Sequence, residues 1–227
     1  MSLALVTGAG RGIGRATARA LAARGLDVAL VGLGRENLDA AARLVRDAGA
    51  RAEVFPCDVG DAAAVAAMAA EVERVAGVPD VVVHSAGIAR RTSVEQTSDE
   101  DWARTIATNL SGPFLVTRAL LPSMRARGSG RLVFVGSISS TLGTARLSAY
   151  CASKWGVVGF VKSLAEELRG TGLAAMSVLP GSVDTDMLVG SGFPPQMTPE
   201  DVARTIVFLA LDAPASMNAS AVEMFGP

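Results

Sequence analysis

Short apolar runs alternate with longer segments in which apolar side chains recur every three or four positions. The runs are bounded by glycine, proline or aspartate, and they predict buried strands. These strands lie at residues 3–6, 28–31, 52–55, 81–83, 131–135, 174–179 and 221–224. The longer segments predict helices at residues 36–48, 62–76, 150–168 and 199–211, after a first helix that begins at the opening turn and stops at Gly25.

One further helix is predicted from a capping motif. Thr97 and Glu100 stand three residues apart, as in a capping box in which Thr97 caps the helix and Glu100 reaches back. The helix is expected to continue through Asn109 to Arg127, with a bend at Pro113.

Strands that alternate with helices at this spacing imply right-handed crossovers and a parallel sheet. The pattern therefore predicts an α/β fold: a single-domain, Rossmann-type, doubly wound parallel sheet of about seven strands with helices on both faces. No linker, repeat or low-complexity tract interrupts it, so we predict one domain over residues 1–227. The loop 186–198 carries glycine, proline and apolar side chains, which is typical of a flap over a substrate cleft.

Composition narrows the function classes. A net charge of −1 at pH 7 gives no basic footprint for nucleic acid or anionic lipid. No apolar run is long enough to span a bilayer, and the N-terminus lacks the basic region of a signal peptide. Cys57 and Cys151 lack metal-site spacing, so we expect reduced thiols, no metal site and a cytoplasmic location.

The first predicted strand ends in a glycine-rich turn that leads into a helix. Gly8, Gly12 and Gly14 lie in this turn. Glycine lets the backbone bend sharply and lets a pyrophosphate approach closely, while the following helix offers free N–H groups and partial positive charge. Strand, turn and helix in this order predict a phosphate site, and a merely flexible turn is the alternative.

A tyrosine and a lysine stand four residues apart on the predicted helix 150–168. Tyr150 and Lys154 share a helix face, and a nearby ammonium is expected to lower the pKa of the phenol toward the range useful for acid–base catalysis. Ser137 follows a predicted strand and is placed to reach the same substrate oxygen. Alone the pair is a weak signal, since a packed tyrosine beside a solvated lysine has the same spacing.

Together these motifs resemble the short-chain dehydrogenase/reductase family over essentially the whole chain. The matching positions occur in the family's order: Thr7, Gly8, Gly12, Ile13, Gly14, Asp58, Val59, Ala86, Gly87, Asn109, Ser137, Tyr150, Lys154, Pro180, Gly181, Val183 and Thr185. The resemblance implies NAD(P)-dependent hydride transfer between a ketone and a secondary alcohol, acting on a small-molecule substrate.

The resemblance also implies catalytic roles. Tyr150 is expected to act as general acid or base, Ser137 to hydrogen-bond the substrate oxygen, and Lys154 to lower the Tyr150 pKa and hold the nicotinamide ribose. Asn109 matches the asparagine that supports a proton-relay water, with an ordinary helix position as its alternative. His84 lies where the family places a structural residue, and we favour a structural role for it.

Other matching positions are expected to contact the cofactor. Asp58 matches the residue that binds the adenine amine, although an aspartate turn at a strand end competes with that interpretation. Pro180, Val183 and Thr185 match the segment that holds the carboxamide. Further cofactor contacts are expected from Gly8, Gly12, Ile13, Gly14, Val59, Ala86, Gly87, Asn109, Tyr150, Lys154 and Gly181.

The end of the second predicted strand bears on the choice between NAD and NADP. It carries no carboxylate to bind a ribose 2′-hydroxyl, the usual mark of NAD selection. Gly32 leaves room there, and Arg11 and Arg35 are candidates to bind the 2′-phosphate of NADP. NADP is therefore predicted, with NAD as the alternative; each arginine could instead be a solvated surface residue.

Two other functions match parts of the pattern. A catalytically silent dinucleotide-binding regulatory protein would keep the pocket, but such proteins usually lose the tyrosine or the lysine. An epimerase or dehydratase of the extended branch generally needs a longer C-terminal substrate region. The resemblance further implies a homodimer or homotetramer, in which Val161, Ala165 and Leu168 face either a partner or the sheet.

The C-terminal residues bear on the class of substrate. The C-terminal residues lack the Asp-Gly-Gly ending common among 3-oxoacyl-acyl-carrier-protein reductases of this family. They look more like the ending of relatives that act on small 3-hydroxy acids or amino-alcohols.

Overall fold

The computed structural model describes residues 2–227 and contains one sheet of seven parallel strands. The strand order across the sheet is β3-β2-β1-β4-β5-β6-β7. Strands β2 and β3 are added on one side of β1 and strands β4 to β7 on the other, so the strand order reverses between β1 and β4. The strands are β1 Leu3–Thr7, β2 Asp27–Gly32, β3 Ala52–Pro56, β4 Val81–His84, β5 Gly130–Val135, β6 Leu173–Pro180 and β7 Ala221–Met224. All seven agree with the predicted strands to within one or two residues at each end.

Seven α-helices connect these strands. They are α1 Gly12–Ala23, α2 Arg35–Asp47, α3 Ala62–Val75, α4 Asp99–Ile106, α5 Gly112–Arg127, α6 Ser148–Glu167 and α7 Pro199–Val207. Two π-helical turns, Ala107–Ser111 and Phe208–Asp212, continue α4 and α7. Within residues 2–227 no helix combines the length and the hydropathy that crossing a membrane requires.

The sheet separates two hydrophobic cores. Side chains of α1, α2 and α7 cover one face, and side chains of α3, α5 and α6 cover the other. Neighbouring strand residues point to opposite faces, so Ala4 and Val6 lie in the first core while Leu3 and Leu5 lie in the second. Strands buried on both faces explain the continuous apolar runs in the sequence. The predicted fold class is confirmed.

The predicted helix from Thr97 to Arg127 is wrong in its details. Ser98 is the N-cap, and its hydroxyl accepts a hydrogen bond from the Asp101 N–H at 3.1 Å, whereas the Thr97 hydroxyl donates to the Ser93 carbonyl. The segment also divides at the π-helical turn Ala107–Ser111. Pro113 lies in the first turn of α5, where its missing N–H is tolerated, so the predicted bend is instead a junction between two helices.

Because all seven strands are parallel, their carboxyl ends meet at one edge. The glycine turn, the residues after β4, Ser137 and the residues after β6 all follow strands at this edge. In open α/β sheets a ligand crevice forms outside the carboxyl ends of the strands, at the point where the strand order reverses. The fold therefore places the predicted site residues along one crevice.

Candidate active site

The glycine turn after β1 is packed too tightly for side chains at two of its glycines. A Cβ atom at Gly8 would lie 2.8 Å from the Ala86 backbone, and one at Gly14 would overlap the Gly8 carbonyl oxygen. Gly8 and Gly12 also have left-handed φ angles of 65° and 51°. Ile13 is partly buried against the core of α1 and α7. The close packing explains why glycine is needed in this turn.

The N-terminus of α1 is open to an anion. Arg11 occupies the N-cap position without a side-chain hydrogen bond to the helix, and the first turn carries no acidic residue. The first N–H groups of a helix lack partners within it, and the helix dipole adds partial positive charge there. This arrangement fits a dinucleotide pyrophosphate.

Thr7 links the glycine turn to the chain after β4, a role that our sequence reasoning missed. Its hydroxyl accepts hydrogen bonds from the N–H groups of Ser85 at 3.1 Å and Ala86 at 3.2 Å. The same hydroxyl donates to the Val83 carbonyl at 3.5 Å. A threonine at the last position of an apolar strand was the available signal. These bonds fix Ala86 and Gly87 beside the turn.

Tyr150 and Lys154 lie together on α6, and both are buried. The Lys154 ammonium donates a 2.7 Å hydrogen bond to the Val135 carbonyl at the end of β5, and it lies 5.6 Å from the centre of the Tyr150 ring. Ser137 follows β5 after one residue and caps a short 3₁₀ turn, and its hydroxyl accepts from the Ser139 N–H at 3.1 Å. Three of the four predicted catalytic side chains therefore lie together at the carboxyl edge of the sheet, where the Ser137 hydroxyl is close enough to lower the pKa of Tyr150.

Burial dominates the pKa values of this group. It raises the pKa of Tyr150 above the ordinary value of 10, while the Ser137 hydroxyl and the charge of Arg91 lower it by smaller amounts. Burial also lowers the pKa of Lys154 to about 8. The prediction that the Tyr150 pKa is lowered is wrong in this structure, because loss of water around the phenol outweighs its favourable neighbours.

Asn109 lies in the π-helical turn between α4 and α5, and its side chain is fully buried. The amide oxygen accepts from the Ile88 N–H at 2.8 Å, and the amide nitrogen donates to the Ile88 carbonyl at 2.9 Å and to the Ser153 hydroxyl at 3.1 Å. Ser153, also missed from the sequence, donates in turn to the Tyr150 carbonyl at 2.7 Å. Asn109 thus joins the chain after β4 to α6, the helix that carries Tyr150.

Gly87 lies between these groups. A Cβ atom there would be 3.5 Å from the Asn109 amide oxygen and 3.7 Å from the Lys154 ammonium. The absence of a side chain at Gly87 therefore leaves space beside the Lys154 ammonium. Such a space suits a planar ring lying against the end of β4.

The chain after β6 approaches the glycine turn. A Cβ atom at Gly12 would lie 3.1 Å from the Thr185 methyl group. Pro180 ends β6, Gly181 donates its N–H to the Met224 carbonyl at 2.8 Å, and Val183 forms a bridge with Met197. The predicted carboxamide segment and the predicted phosphate turn therefore lie next to each other at Thr185 and Gly12.

Asp58 and Val59 lie after β3 and are engaged within the protein. One Asp58 carboxylate oxygen accepts from the Gly60 N–H at 2.9 Å, and the other pairs with Arg104 at 3.0 Å. The competing interpretation of Asp58 as a strand-end turn therefore matches the geometry. Val59 is buried, and a Cβ atom at Gly112 would lie 2.9 Å from its side chain.

Both arginines predicted to select NADP are exposed. Arg11 pairs with Asp186 at 3.3 Å, and Arg35, the first residue of α2, pairs with Asp39 at 3.3 Å. Exposed pairs of this kind contribute at most about 1 kcal/mol, so either arginine can exchange its carboxylate for another anion.

His84 is packed into the core. Its ring stacks on Phe134 with 4.2 Å between ring centres, and its Nε2 lies 3.2 Å from the Thr117 hydroxyl. Burial lowers its pKa to about 3. Burial also raises the pKa of the Cys57 thiol to about 11, and Cys57 and Cys151 are free thiols. Residues 2–227 contain no cluster of three or more side chains suited to hold a metal ion.

Comparisons with known proteins agree with this geometry. A family model described as short chain dehydrogenase matches residues 2–192. A D-threitol dehydrogenase of Mycolicibacterium smegmatis is 40% identical over 95% of this chain and 88% of its own length. A 3-oxoacyl-acyl-carrier-protein reductase of Escherichia coli is 33% identical over 99% of this chain and 96% of its own length.

A solved structure has the same fold. The crystal structure of an actinorhodin polyketide ketoreductase variant with NADPH matches with a TM-score of 0.94 and 33% identity, covering 99% of this chain and 96% of the other. The chain therefore belongs to the short-chain dehydrogenase family, and it is an NAD(P)-dependent oxidoreductase that interconverts ketones and secondary alcohols.

Proposed function

We propose that Tyr150 is the general acid in carbonyl reduction and the general base in alcohol oxidation. The observation that carries this proposal is the burial of Tyr150, Ser137 and Lys154 together at the carboxyl edge of the sheet. The nicotinamide, when bound, supplies or accepts the hydride. Tyr150 gives its proton to the carbonyl oxygen, and Ser137 donates a hydrogen bond to that oxygen as negative charge develops on it.

Lys154 and Asn109 support proton transfer in this proposal. With a pKa of about 8, Lys154 is mostly protonated at neutral pH, and it would hold ribose hydroxyls beside Gly87. Pro113 has no N–H, so the hydrogen bond that an α-helix would make to the Asn109 carbonyl from four residues on is absent, and that carbonyl would accept from a relay water. The Asn109 side chain would then fix the position of this backbone carbonyl through its hydrogen bonds to Ile88 and Ser153.

We propose NADP as the preferred cofactor. The glycine turn and the N-terminus of α1 would hold the pyrophosphate, while Arg11 and Arg35 would exchange their exposed ion pairs for the 2′-phosphate. The NADPH bound to the ketoreductase of the same fold supports this preference. The remaining contacts would come from Asp58 and Val59 at the adenine, Ala86 and Gly87 along the ring, and Pro180, Gly181, Val183 and Thr185 at the carboxamide.

The cofactor preference predicts a selective effect of Arg35→Ala. A charge-assisted hydrogen bond contributes about 1.5–3 kcal/mol, so this variant is expected to raise the Kd of NADPH about tenfold or more and to leave the Kd of NADH nearly unchanged. Arg43→Ala is the matched control, because Arg43 is exposed on the same helix. Fluorescence titration with both cofactors measures the effect, and equal losses for NADPH and NADH would dismiss the role of Arg35.

The catalytic proposal is tested by turnover. A panel of ketones and secondary alcohols, including polyols and 3-oxoacyl thioesters, is screened with NADPH, NADH and their oxidised forms at 340 nm. We expect steady oxidation of NADPH with at least one ketone. NADPH binding without turnover of any substrate would indicate a silent dinucleotide-binding protein. A redox-neutral product with retained cofactor would indicate an epimerase or dehydratase.

We further propose a homodimer or homotetramer that works in the cytoplasm, built from one domain per chain. Large apolar side chains are exposed on three neighbouring elements: Trp102 on α4, Phe114 on α5 and Trp155 on α6. The residues considered from the sequence, Val161, Ala165 and Leu168, are buried in the core against the sheet and are not part of this surface. Light scattering on the purified protein tests the oligomer.

A further inference from the structure

Arg91 lies at the centre of a junction between three loops of the crevice. It follows β4, it is half-buried, and its Nη2 donates a 3.1 Å hydrogen bond to the Met187 carbonyl in the loop after β6. Arg146, in the loop between Ser137 and α6, donates from Nη2 to the Arg91 carbonyl at 3.3 Å. Hydrogen bonds from two arginine side chains thus join the loops after β4, β5 and β6.

These two arginines differ from their neighbours in having no carboxylate partner. Arg90 pairs with Asp101 at 3.3 Å, and Arg11 pairs with Asp186 at 3.3 Å. Among residues 2–227 no carboxylate lies within ion-pair distance of Arg91 or Arg146. A guanidinium has five N–H donors, and Arg91 uses one of them in this part of the chain. A half-buried cation with free donors fits a site that receives an anion from outside.

The junction is joined directly to α6, the helix that carries Tyr150, because Arg146 lies two residues before that helix begins. Burial raises the pKa of Tyr150, and the Ser137 hydroxyl lowers it. The positive charge of Arg91 also lowers the pKa of Tyr150, by a smaller amount. Arg146 also has a left-handed φ of 63°, which is uncommon for a residue with a side chain, four positions before Tyr150.

Resting on the proposed function of Tyr150, we propose that Arg91 binds a carboxylate of the substrate and that Arg146 adds a second positive charge. The substrate is then a keto acid or hydroxy acid whose carboxylate lies a few atoms from the reacting carbon. A planar guanidinium matches the two oxygens of a carboxylate, so the pair fixes both the position and the direction of the substrate.

The same arginine connects substrate binding to the loop 186–198. Its Nη2 already holds the Met187 carbonyl, and its other N–H groups face no protein acceptor among residues 2–227. A carboxylate bound by Arg91 fixes the guanidinium, and the fixed guanidinium holds the short 3₁₀ turn Asp186–Leu188 over the substrate. Substrates without the acid lose this closing contact as well as the ion pair.

The test compares matched substrates on matched variants. Each of a series of 2-, 3- and 4-keto carboxylates is assayed beside its methyl ester. NADPH is kept at a saturating concentration, and the substrate concentration is varied. The wild-type protein is expected to prefer at least one acid over its ester by about tenfold or more in kcat/KM, which corresponds to a charge-assisted hydrogen bond.

Arg91→Ala is expected to lower kcat/KM for that acid about 10- to 100-fold, mainly through KM, and to change the ester less than about threefold. Arg91→Lys should restore part of the preference, because it keeps the charge without the planar fork. Arg90→Ala is the control, since Arg90 is adjacent, exposed and already paired with Asp101. Thermal unfolding and the Kd of NADPH verify that each variant is folded.

Two results would overturn the proposal. One is a wild-type preference for the esters throughout the series, and the other is an equal loss for acid and ester in Arg91→Ala. Either result leaves ketone reduction by Tyr150 standing. Turnover of no acid, ester or other ketone would instead overturn the proposed function of Tyr150, and the carboxylate site with it.

Discussion

At the scale of single residues, one cause shifts the pKa values of Tyr150 and Lys154 in opposite directions. Burial disfavours the charged form of each group, so the pKa of Tyr150 rises and that of Lys154 falls to about 8. Tyr150 is consequently protonated throughout the physiological range and is prepared to donate a proton. Lys154 is the group that changes its charge just above neutrality.

This difference predicts the pH dependence of carbonyl reduction. The lowered pKa means that Lys154 is charged below about pH 8 and neutral above it, so kcat/KM for reduction is expected to fall about tenfold per pH unit above that value. The measurement is a pH–rate profile from pH 6 to 10. Lys162→Gln is the control, because Lys162 is exposed on the same helix. A profile that stays flat to pH 10 would contradict the assignment to Lys154.

The sequence predicted where the candidate side chains lie better than it predicted their properties. Ser137, Tyr150, Lys154 and Asn109 come together because spacing and strand ends determine where they lie. The direction of the Tyr150 pKa was not predictable, because it depends on how much water the folded chain excludes. Arg91 was missed for a related reason, since its importance follows from contacts across three loops.

At the scale of elements, the glycine turn determines how closely β1, α1 and the chain after β4 approach one another. An added Cβ at Gly14 would overlap the backbone at Gly8, and backbone atoms cannot move aside as a flexible side chain can. The turn and the start of α1 would have to separate. The phosphate site and the local packing would be lost together.

Gly14→Ala is therefore expected to lower the free energy of unfolding by about 1–3 kcal/mol and to weaken NADPH binding at least about tenfold. Denaturant unfolding and fluorescence titration measure the two effects. Gly143→Ala is the control, because an added Cβ at that loop position meets nothing within 4 Å. Wild-type stability and affinity in Gly14→Ala would show that the turn relaxes easily.

The elements themselves were predictable to different degrees. The strands were predicted well, because burial on both faces leaves an unbroken apolar run in the sequence. The division of the helix before Arg127 was not predicted, because a π-helical turn has no reliable sequence pattern and Pro113 is compatible with either a bend or a new start. The choice of Ser98 over Thr97 as cap rests on one hydrogen bond.

At the scale of the whole molecule, the two cores meet at a sheet whose centre contains an ionisable residue. His84 ends β4 in the middle of the strand order and stacks on Phe134 of β5. Its pKa is about 3 in the folded chain and about 6.5 when exposed. As the pH falls below 6.5, His84 binds a proton in the unfolded chain but stays neutral in the folded chain. The free energy of unfolding therefore falls as the pH falls.

The protein is therefore expected to lose up to about 1.4 kcal/mol of stability per pH unit between pH 6.5 and about 3 from His84 alone. Denaturant unfolding at pH 7.0, 6.0 and 5.0 measures the slope in a range where carboxylates contribute little. His84→Asn is expected to flatten the slope, whatever it does to the stability at pH 7. An unchanged slope in that variant would assign the acid sensitivity to other groups.

The central claim is that the Tyr150 hydroxyl moves the proton while the rest of the site holds the cofactor. Tyr150→Phe removes one oxygen from a buried side chain and keeps its ring. The decisive measurement is kcat for ketone reduction together with the Kd of NADPH in this variant. The account predicts a fall in kcat of at least about a hundredfold with an almost unchanged Kd. A kcat close to the wild-type value would contradict it.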